Sequence, residues 1–422
     1  MRRKSNLPAR RRFLGSGLAA AAGVLLPGSA AASSLAGPRA LRARFPDLRR
    51  RFIFEYYPWY GRDPWRHWDA EDRTPPFDLA APYMPRLGAY DSRSRAVIEQ
   101  HARWIADSGA GSVNLSWWGP DSYEDRAVHG VMDVMRDHDL KVAFHLEPYV
   151  PDRGRRFATD VFYLLKEYGE RRHFDAFLLL QDPDGSVGPV FKGFETILPP
   201  TFRDCRGVER PVAAFNPDNE WRQELGTLRS VLRGDFDRVR VLADSLNIDR
   251  VAASGFDGIA VYDNRVGPER YAAVARAASD RGLLFSFNVN PGFHLVRPRA
   301  PVVDECGQAV PHPDFLPAGD DLLDLTTAAG RERAADLSRH RIVDSFEATV
   351  ALQTDPTLLN AQRGFFLTYV NSFNEWHEGH AFEPMKDAAA LSPEEQALGY
   401  HNPERGDYRL VLLKELLRGT VS

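Results

Sequence analysis

The sequence predicts an α/β protein of the (β/α)8 barrel class with elaborated loops. Strand-like apolar runs alternate with amphipathic, helix-like segments, which is typical of a parallel sheet covered by helices. Eight strand candidates fall within about 390 residues, and clusters of aromatic, amide and acidic residues follow the strand candidates, not the helix candidates. The carboxyl ends of all strands meet at one face of such a barrel. A single barrel therefore explains the pattern better than a doubly wound sheet with a second domain.

The predicted elements alternate along the chain. The strand candidates are residues 52–57, 112–117, 141–146, 176–180, 239–243, 258–262, 283–289 and 365–370. The helix candidates are residues 92–107, 121–138, 155–168, 268–281 and 408–417. In the first of these helices Val97, Ile98 and Ile105 recur at roughly helical spacing, and Asp91 is expected to cap its N-terminus.

Residues 52–422 are expected to form one catalytic domain. Two stretches, near 183–234 and 297–340, are rich in Pro, Gly and Asp and are expected to be insertions or elaborated loops. Residues 33–51 are rich in Arg, and we expect them to be a linker before the folded domain.

Residues 1–32 have the layout of an export signal. Six cations without an acid precede an apolar run over residues 13–26, which is followed by small residues and an Ala-Ala-Ala stretch suited to cleavage. The run is too short to cross a bilayer. Residues 10–14, Arg-Arg-Arg-Phe-Leu, resemble the twin-arginine motif, although an ordinary secretory signal is the alternative. We expect a secreted or periplasmic protein that keeps no membrane insertion once the signal is removed.

The net charge and the cysteine content limit the kinds of partner and of covalent cross-link that we expect. The whole chain has a net charge of −4, and loss of the leader's six cations leaves 48 basic against 58 acidic residues, near −10. That balance argues against nucleic acid as a partner. Cys205 and Cys306 are far apart and have no neighbouring cysteine, so they form one disulfide or none. A monomer without a cofactor is expected.

Aromatic, amide and acidic residues gather where the strand candidates end. Aromatic faces stack on sugar rings, and neighbouring polar groups bind hydroxyls, so this edge is expected to hold a carbohydrate. Singly, each cluster is as well explained by strand-end core packing. The expected substrate-binding residues are Tyr57, Trp59, Trp117, Trp118, His145, Glu147, Tyr149, Tyr262, Asn288, Asn374 and His377.

Glu375 and Glu378 are the candidate catalytic residues. Their spacing of three places both carboxylates on the same side of a turn or helix. Glycoside cleavage needs one carboxyl group that protonates the leaving oxygen and a second that acts as base or nucleophile. The alternative for this pair is two acids on a solvated loop.

A metal site competes for the same residues. His377, Glu378 and His380 lie close in sequence, and His145 with Glu147 supplies further ligand types. The spacing is not the H-E-x-x-H pattern that puts two imidazoles one helical turn apart, and Gly379 disfavours a regular helix there. We therefore expect no bound metal.

Several segments resemble glycoside hydrolase family 99, the endo-α-1,2-mannosidases and mannanases. The resemblance is carried by residues 56–61 (YYPWYG), 116–118 (SWW), 145–149 (HLEPY) and, most specifically, 374–379 (NEWHEG). It extends to residues 90–92, 255–258 and 383–384, in consistent order over nearly the whole chain.

The resemblance implies a metal-independent, retaining enzyme that cuts internal α-1,2-mannosidic or related linkages. It implies that Glu375 deprotonates the substrate's own 2-hydroxyl, which then forms a 1,2-anhydro sugar. Glu378 would protonate the leaving oxygen and later activate water. The chain departs from the family where Thr-Gln-Ile usually follows the motif, because it has His380, Ala381 and Phe382. A sugar-binding protein without turnover remains an alternative, against which the retained Glu pair argues.

Overall fold

The fold is a nearly closed parallel barrel surrounded by helices. The computed structural model describes residues 36–45, 47–171, 174–296, 298–299, 302–309 and 323–421. The export signal predicted for residues 1–32 lies outside them. Within the described residues, no helix combines the length and the apolar character needed to span a lipid bilayer.

Eight strand positions form the barrel, and all neighbouring strands are parallel. The seventh position consists of two pieces separated by Phe287, which pair with the sixth and the eighth strands and so close the sheet. The strands are Phe52–Tyr56, Ser112–Trp117, Lys141–Leu146, Val187–Gly193, Arg240–Ala243, Gly258–Ala260, Leu284–Ser286 with Asn288–Val289, and Thr368–Val370. The predicted (β/α)8 barrel is confirmed.

One principal helix follows each barrel strand. These helices are Arg95–Ser108, Tyr123–Asp137, Arg153–Leu164, Asp218–Leu232, Ile248–Ala253, Pro268–Asp280, Ala328–Thr354 and Tyr408–Val421. Smaller elements are the helices Ala36–Arg44, Leu359–Arg363 and Pro393–Ala397, the 3-10 turns Leu48–Arg51 and Ala388–Ala390, the π segment Leu165–Glu170, and the short strands Gly61–Arg62, Trp65–Arg66, Leu179–Gln181, Thr201–Arg203 and Glu209–Pro211.

Successive side chains of each strand point alternately outward and inward, and they contribute to two separate apolar regions. Outward side chains such as Phe54, Val113 and Phe144 pack against the helices in the main core. Inward side chains such as Ile53 and Val190 fill the lower part of the barrel as an apolar floor. Because successive strand side chains point to opposite faces, the next inward residue of each strand lies above this floor.

The fourth barrel strand is Val187–Gly193, whereas residues 176–180 were predicted for that position; of these, Phe177 forms one parallel bridge with Val142 of the third strand. Leu179–Gln181 pairs antiparallel with the true fourth strand and stays outside the closed path. The segment contains Gly188, Pro189 and Lys192, which are uncommon in strands, and it was therefore predicted to be part of an insertion. Burial of the whole strand inside the barrel compensates for its weak strand composition.

The two predicted insertions contain barrel elements. Residues 183–234 include the fourth strand and the helix Asp218–Leu232. Residues 297–340 include the start of Ala328–Thr354, a helix rich in Arg, Ala, Ser and Thr whose buried face is largely small or polar, so its apolar periodicity is weak. Part of this second stretch, residues 297, 300–301 and 310–322, lies outside the described residues.

The predicted linker, residues 33–51, is folded from residue 36 onward. The helix Ala36–Arg44 packs against Tyr408–Val421 and Ala328–Thr354. Leu41, Phe45 and Leu48 are buried, at a spacing of four and three that forms one apolar stripe. These apolar residues were not recognised in the sequence because the segment contains many arginines. The described residues of this segment, 36–45 and 47–51, therefore pack against the barrel's own elements.

Cys205 and Cys306 form a disulfide with a Cα–Cα distance of 6.2 Å. The bond joins two excursions from the barrel that are 101 residues apart in sequence. One contains the hairpin of Thr201–Arg203 and Glu209–Pro211, and the other contains residues 302–309. The sequence alone left this pairing open.

Candidate active site

A buried polar layer crosses the barrel above the apolar floor. Glu55 on the first strand accepts hydrogen bonds from Lys192 Nζ at 2.6 Å and from Asn114 Nδ2 at 2.9 Å. His145 Nδ1 lies 3.0 Å from the same carboxylate. These four residues, here called the polar layer, come from four adjacent strands and are all buried. The layer therefore ties half of the barrel wall together.

The polar layer keeps Glu55 ionised. Burial alone would raise the pKa of Glu55, but the charges and hydrogen bonds of Lys192 and His145 outweigh it and lower the pKa from 4.5 to about 2. His145 Nε2 has no hydrogen-bond partner among the described residues. This buried ring nitrogen can therefore form a hydrogen bond with a hydroxyl of a bound molecule.

Side chains two residues further along the strands form an upper layer, defined here as Tyr57, Ser116, Glu147 and Tyr262. Tyr57 donates its hydroxyl hydrogen to Tyr262 Oη at 2.9 Å. Glu147 Oε1 accepts from Ser116 Oγ at 2.8 Å, and Trp118 Nε1 donates to that same Oγ at 3.1 Å. The polar layer therefore supports a second set of polar and aromatic groups nearer the barrel mouth.

Glu375 lies in the loop that follows the eighth strand. Its side chain is fully buried, its backbone N–H donates to Ser372 Oγ at 2.8 Å, and its Oε1 lies 3.2 Å from His377 Nδ1. Burial, and after it the charge of Glu375, raises the pKa of Tyr60, whose hydroxyl oxygen accepts from the backbone N–H of Trp376. Glu375 therefore has a neutral phenol in its electrostatic surroundings.

The loop also lies within electrostatic reach of the upper layer. The pKa of Tyr57 is raised well above its ordinary value by burial, then by interaction with Tyr262, Glu55, Glu147 and Glu375. This Tyr is thus influenced by both layers and by the loop. The structure brings the predicted residues Tyr57, His145, Glu147 and Tyr262 together beside Glu375.

Glu378 occupies a different environment from Glu375. Its side chain is 14% exposed, whereas that of Glu375 is 0% exposed. Its Oε2 lies 2.9 Å from Nε2 of His380, a fully buried residue. Two carboxylates with unequal access to water are what a division into base and acid requires.

Asn374 fastens this loop to the first strand. Its Oδ1 accepts from the backbone N–H of Tyr57 at 2.8 Å, and its Nδ2 donates to the carbonyl of Tyr57 at 3.0 Å. Both amide groups are therefore used to align Glu375 with the barrel wall. We predicted a substrate-binding role for Asn374, but its contacts are those of a positioning residue.

A buried network behind the loop holds Trp376. Glu383 Oε2 accepts from Trp376 Nε1 at 2.9 Å and from the hydroxyl of Tyr90 at 2.7 Å. Its Oε1 lies 3.2 Å from His101 Nε2, and His101 Nδ1 lies 3.0 Å from the hydroxyl of Tyr56. The backbone between the two candidate acids is thereby fixed from behind.

Aromatic rings line one side of the candidate site. The Trp59 ring stacks on His67 with centroids 4.6 Å apart and lies 4.5 Å from the ring of Tyr57. His377 lies 6.0 Å from Trp59, and its Nε2 lies 2.9 Å from the carbonyl oxygen of His67. The predicted residues Tyr57, Trp59 and His377 therefore form one continuous wall.

Two predicted substrate-binding residues point away from the barrel. Trp117 is fully buried in the main core, and its Nε1 donates to Asp125 Oδ1 at 2.6 Å. The hydroxyl of Tyr149 donates to the carboxylate of Asp160. Trp117 occupies an outward position of the strand alternation, so a substrate-binding role does not fit it. Tyr149 likewise contacts a surrounding helix.

Asn288 is inside the barrel, but its amide is already occupied. Its Nδ2 donates to the carbonyls of Val261 at 3.0 Å and Tyr262 at 2.7 Å, and its Oδ1 accepts from Asn290 at 2.6 Å. It fixes the backbone that carries Tyr262. The substrate-binding role predicted for Asn288 is thus better described as positioning.

Several residues of the site were missed from the sequence. Glu55 stands two before Tyr57, and this inward spacing was the available signal, whereas Lys192 lay in the unrecognised fourth strand. Asp244 accepts from the backbone N–H of Tyr262 at 2.9 Å, and burial raises its pKa to about 6. Phe194 adds a ring 5.0 Å from Tyr262. Glu383, behind the loop, lies in the family-like segment 383–384 but was given no role in the site.

The candidate metal ligands do not converge at this site. Among the described residues, one group of three ligand atoms lies within 4.8 Å, and it consists of Cys205, Asp304 and Cys306. Its two sulfurs are joined in the disulfide. His377 and His380 each lie beside a different glutamate, at 3.2 and 2.9 Å.

Comparison with known proteins places this arrangement among glycosidases. Residues 51–178 match the model of glycosyl hydrolase family 99. The chain is 26% identical over 403 residues to a glycoprotein endo-alpha-1,2-mannosidase-like protein of Danio rerio, covering 85% of this chain and 76% of the relative. It is 24% identical over 367 residues to the glycoprotein endo-alpha-1,2-mannosidase of Mus musculus, covering 78% and 66%.

Solved structures share the architecture. The GH99 endo-alpha-mannosidase from Bacteroides thetaiotaomicron superposes with a TM-score of 0.59 at 19% identity, covering 88% of this chain and 99% of the other. The sequence matches and the shared barrel agree on one class of enzyme, and the chain is a glycoside hydrolase. Within that class it is similar to family 99, whose model residues 51–178 match.

The Glu55→Gln substitution tests the polar layer. The folded pKa of about 2 lies below 4.5, so ionised Glu55 stabilises the fold above pH 4.5, and this contribution is lost as pH falls toward about 2. At neutral pH the variant leaves Lys192 buried without its counterion, and we expect a loss of roughly 3–5 kcal/mol.

Chemical denaturation as a function of pH checks this expectation. The loss of unfolding free energy caused by Glu55→Gln should become smaller as the pH falls from 4.5 to about 2. The control is Glu99→Gln, which removes a surface pair with Arg95 and should cost less than about 1 kcal/mol. A deficit that stays constant over this range would show that Glu55 is not ionised in the folded protein.

Trp117 and Trp118 offer a matched pair of neighbouring substitutions. Trp117→Phe removes the buried bond to Asp125 and should lower the free energy of unfolding by about 1–3 kcal/mol, with kcat/KM on a glycan changed less than about twofold. Trp118→Ala should leave the melting temperature nearly unchanged and raise KM about tenfold. If Trp117→Phe raised KM and Trp118→Ala lowered stability instead, Trp117 and not Trp118 would lie in the substrate site.

Proposed function

We propose that this protein cleaves internal α-mannosidic linkages, α-1,2 or related, in a polysaccharide or glycan. The observation that carries the proposal is the pair of carboxylates in one loop at the barrel mouth, with Glu375 fully buried and Glu378 partly exposed. Relatives named endo-alpha-1,2-mannosidase support the choice of sugar. The polar groups of the upper layer and the ring of Trp59 supply contacts suited to a hydroxylated ring.

The proposed reaction retains the anomeric configuration and uses no metal. Glu375 takes the proton of the substrate's 2-hydroxyl, whose oxygen attacks the anomeric carbon as the glycosidic C–O bond breaks. Glu378 donates its proton to the leaving oxygen. Water then opens the resulting 1,2-anhydro sugar, giving one proton to Glu378 while Glu375 returns its proton to the 2-oxygen.

The buried position of Glu375 suits the base in this scheme. Water is excluded from it, and a neutral Tyr60 and an adjacent His377 complete its surroundings. Partial exposure of Glu378 suits the acid, because the same carboxyl must later meet an incoming water. The geometry thus supports unequal roles for the two residues.

The first experiment measures reducing-end release from α-1,2-linked mannan or mannooligosaccharides, with a chelator present. We expect cleavage by the mature chain, and a fall of about 10²–10⁴-fold or more in kcat for Glu375→Gln and for Glu378→Gln. Glu99→Gln, a surface substitution, is the control. A wild type that binds the sugar without cleaving it would instead identify a carbohydrate-binding protein, and loss of activity in chelator would identify a metal-dependent enzyme.

We also propose export of the folded chain through the twin-arginine pathway. Residues 1–32 carry the signal features, and the Cys205–Cys306 disulfide suits an oxidising compartment. N-terminal sequencing of the exported protein should begin at about Ser33. The double substitution Arg10→Lys with Arg11→Lys should leave the precursor in the cytoplasm; normal export of that variant would favour the ordinary secretory route.

A further inference from the structure

Each candidate acid has its own histidine, and the one beside Glu378 is unusual. His380 follows Glu378 by two residues in the sequence. Its Nε2 lies 2.9 Å from Glu378 Oε2, and the residue is fully buried. Its Nδ1 is buried and has no hydrogen-bond partner among the described residues. Glu378 is therefore the one hydrogen-bond partner found for this imidazole within the described chain.

The backbone around His380 is fixed on both sides. Arg409 Nη1 donates to the carbonyls of Gly379 and Ala381, each at 2.8 Å. The carbonyl of His380 accepts from the backbone N–H of Ser372 at 3.2 Å. Because these contacts hold the peptide units next to His380, its ring has little freedom to move away from Glu378.

We propose that His380 is a positioning residue for the acid carboxyl group of Glu378, an inference that rests on the function proposed above. The Nε2–H of His380 donates to Oε2 of Glu378 and occupies that oxygen. The transferable proton is therefore carried by Oε1. A carboxyl group held in this way presents one oxygen to the leaving group and does not rotate between two.

The proton balance of this arrangement does not involve the imidazole. As the glycosidic C–O bond breaks, the proton on Oε1 moves to the leaving oxygen, which keeps the bonding electron pair. The carboxylate then formed accepts a stronger hydrogen bond from His380 than the acid did, because the bond is now charge-assisted. Water later returns a proton to Oε1. His380 keeps its Nε2–H throughout.

Other groups near the pair act on its electrostatics or its backbone. The pKa of Arg265 is raised first by its hydrogen bond to Asp263 and also by the charge of Glu378. The backbone N–H of His294 donates to the Glu378 carbonyl at 2.8 Å. The ring of Tyr262 lies 6.3 Å from that of His380. His380 Nε2, by contrast, contacts a side-chain oxygen of Glu378 directly, at 2.9 Å.

The test compares leaving groups that need protonation with one that does not. The substrates are an α-1,2-linked mannooligosaccharide and the α-glycosyl fluoride of the same sugar, since departing fluoride needs little help from an acid. The variants are His380→Leu, which removes the donor, and His380→Gln, whose amide places a donor near the position of Nε2. The control is His129→Leu, which breaks another His–Glu contact, with Glu167 at 3.6 Å, on the outer helices.

We expect kcat/KM of His380→Leu to fall about 10- to 100-fold on the oligosaccharide and less than about threefold on the fluoride. His380→Gln should recover part of the oligosaccharide activity, and His129→Leu should match the wild type. Equal losses on both substrates, or no loss, would contradict the role of His380 while leaving the proposed function intact. A wild type that hydrolyses neither substrate would contradict the proposed function and this role together.

Discussion

The ion pair of Glu55 with Lys192 is the interaction on which the rest of the site depends. It joins the first and fourth strands inside the barrel at 2.6 Å, where neither charge reaches water. An isolated charge there would be strongly unfavourable, so each group requires the other and the hydrogen bonds of Asn114 and His145. The pair thereby fixes the relative height of four strands, and relative height determines which residues of those strands meet at the mouth.

The active-site layers follow from this constraint by strand geometry. Tyr57 stands two residues after Glu55 and Glu147 two after His145, so both lie directly above the polar layer. The loop with Glu375 is then fastened to this frame, because Asn374 binds both backbone groups of Tyr57. A shift of the first strand would therefore move the loop with Glu375 and Glu378 as well. The buried network of Glu383 holds the same loop from the opposite side.

The strand geometry also explains which parts of the site could be predicted from the sequence. Strand ends were recognisable because parallel strands share one mouth, and this located Tyr57, His145 and Glu375. Adjacent aromatics such as Trp117 and Trp118 could not be separated without the strand register, which sends the first outward to Asp125. The fourth strand was missed because it contains Gly, Pro and Lys, which are depleted in strands. Asn288 and Asn374 were recognised as site residues, but only their contacts show that they hold backbone.

The two glutamates illustrate how one loop can support two different protonation roles. Both belong to a segment of four residues, 375–378, and each has a histidine within 3.2 Å. The difference arises from depth: Glu375 is sealed beneath the aromatic wall, whereas part of Glu378 faces solvent. In the proposed reaction, the carboxyl group of Glu378 gives a proton to the leaving oxygen and regains one from water in each turnover, and this requires that access. A carboxylate that only exchanges a proton with the substrate does not, and burial protects it from competing water.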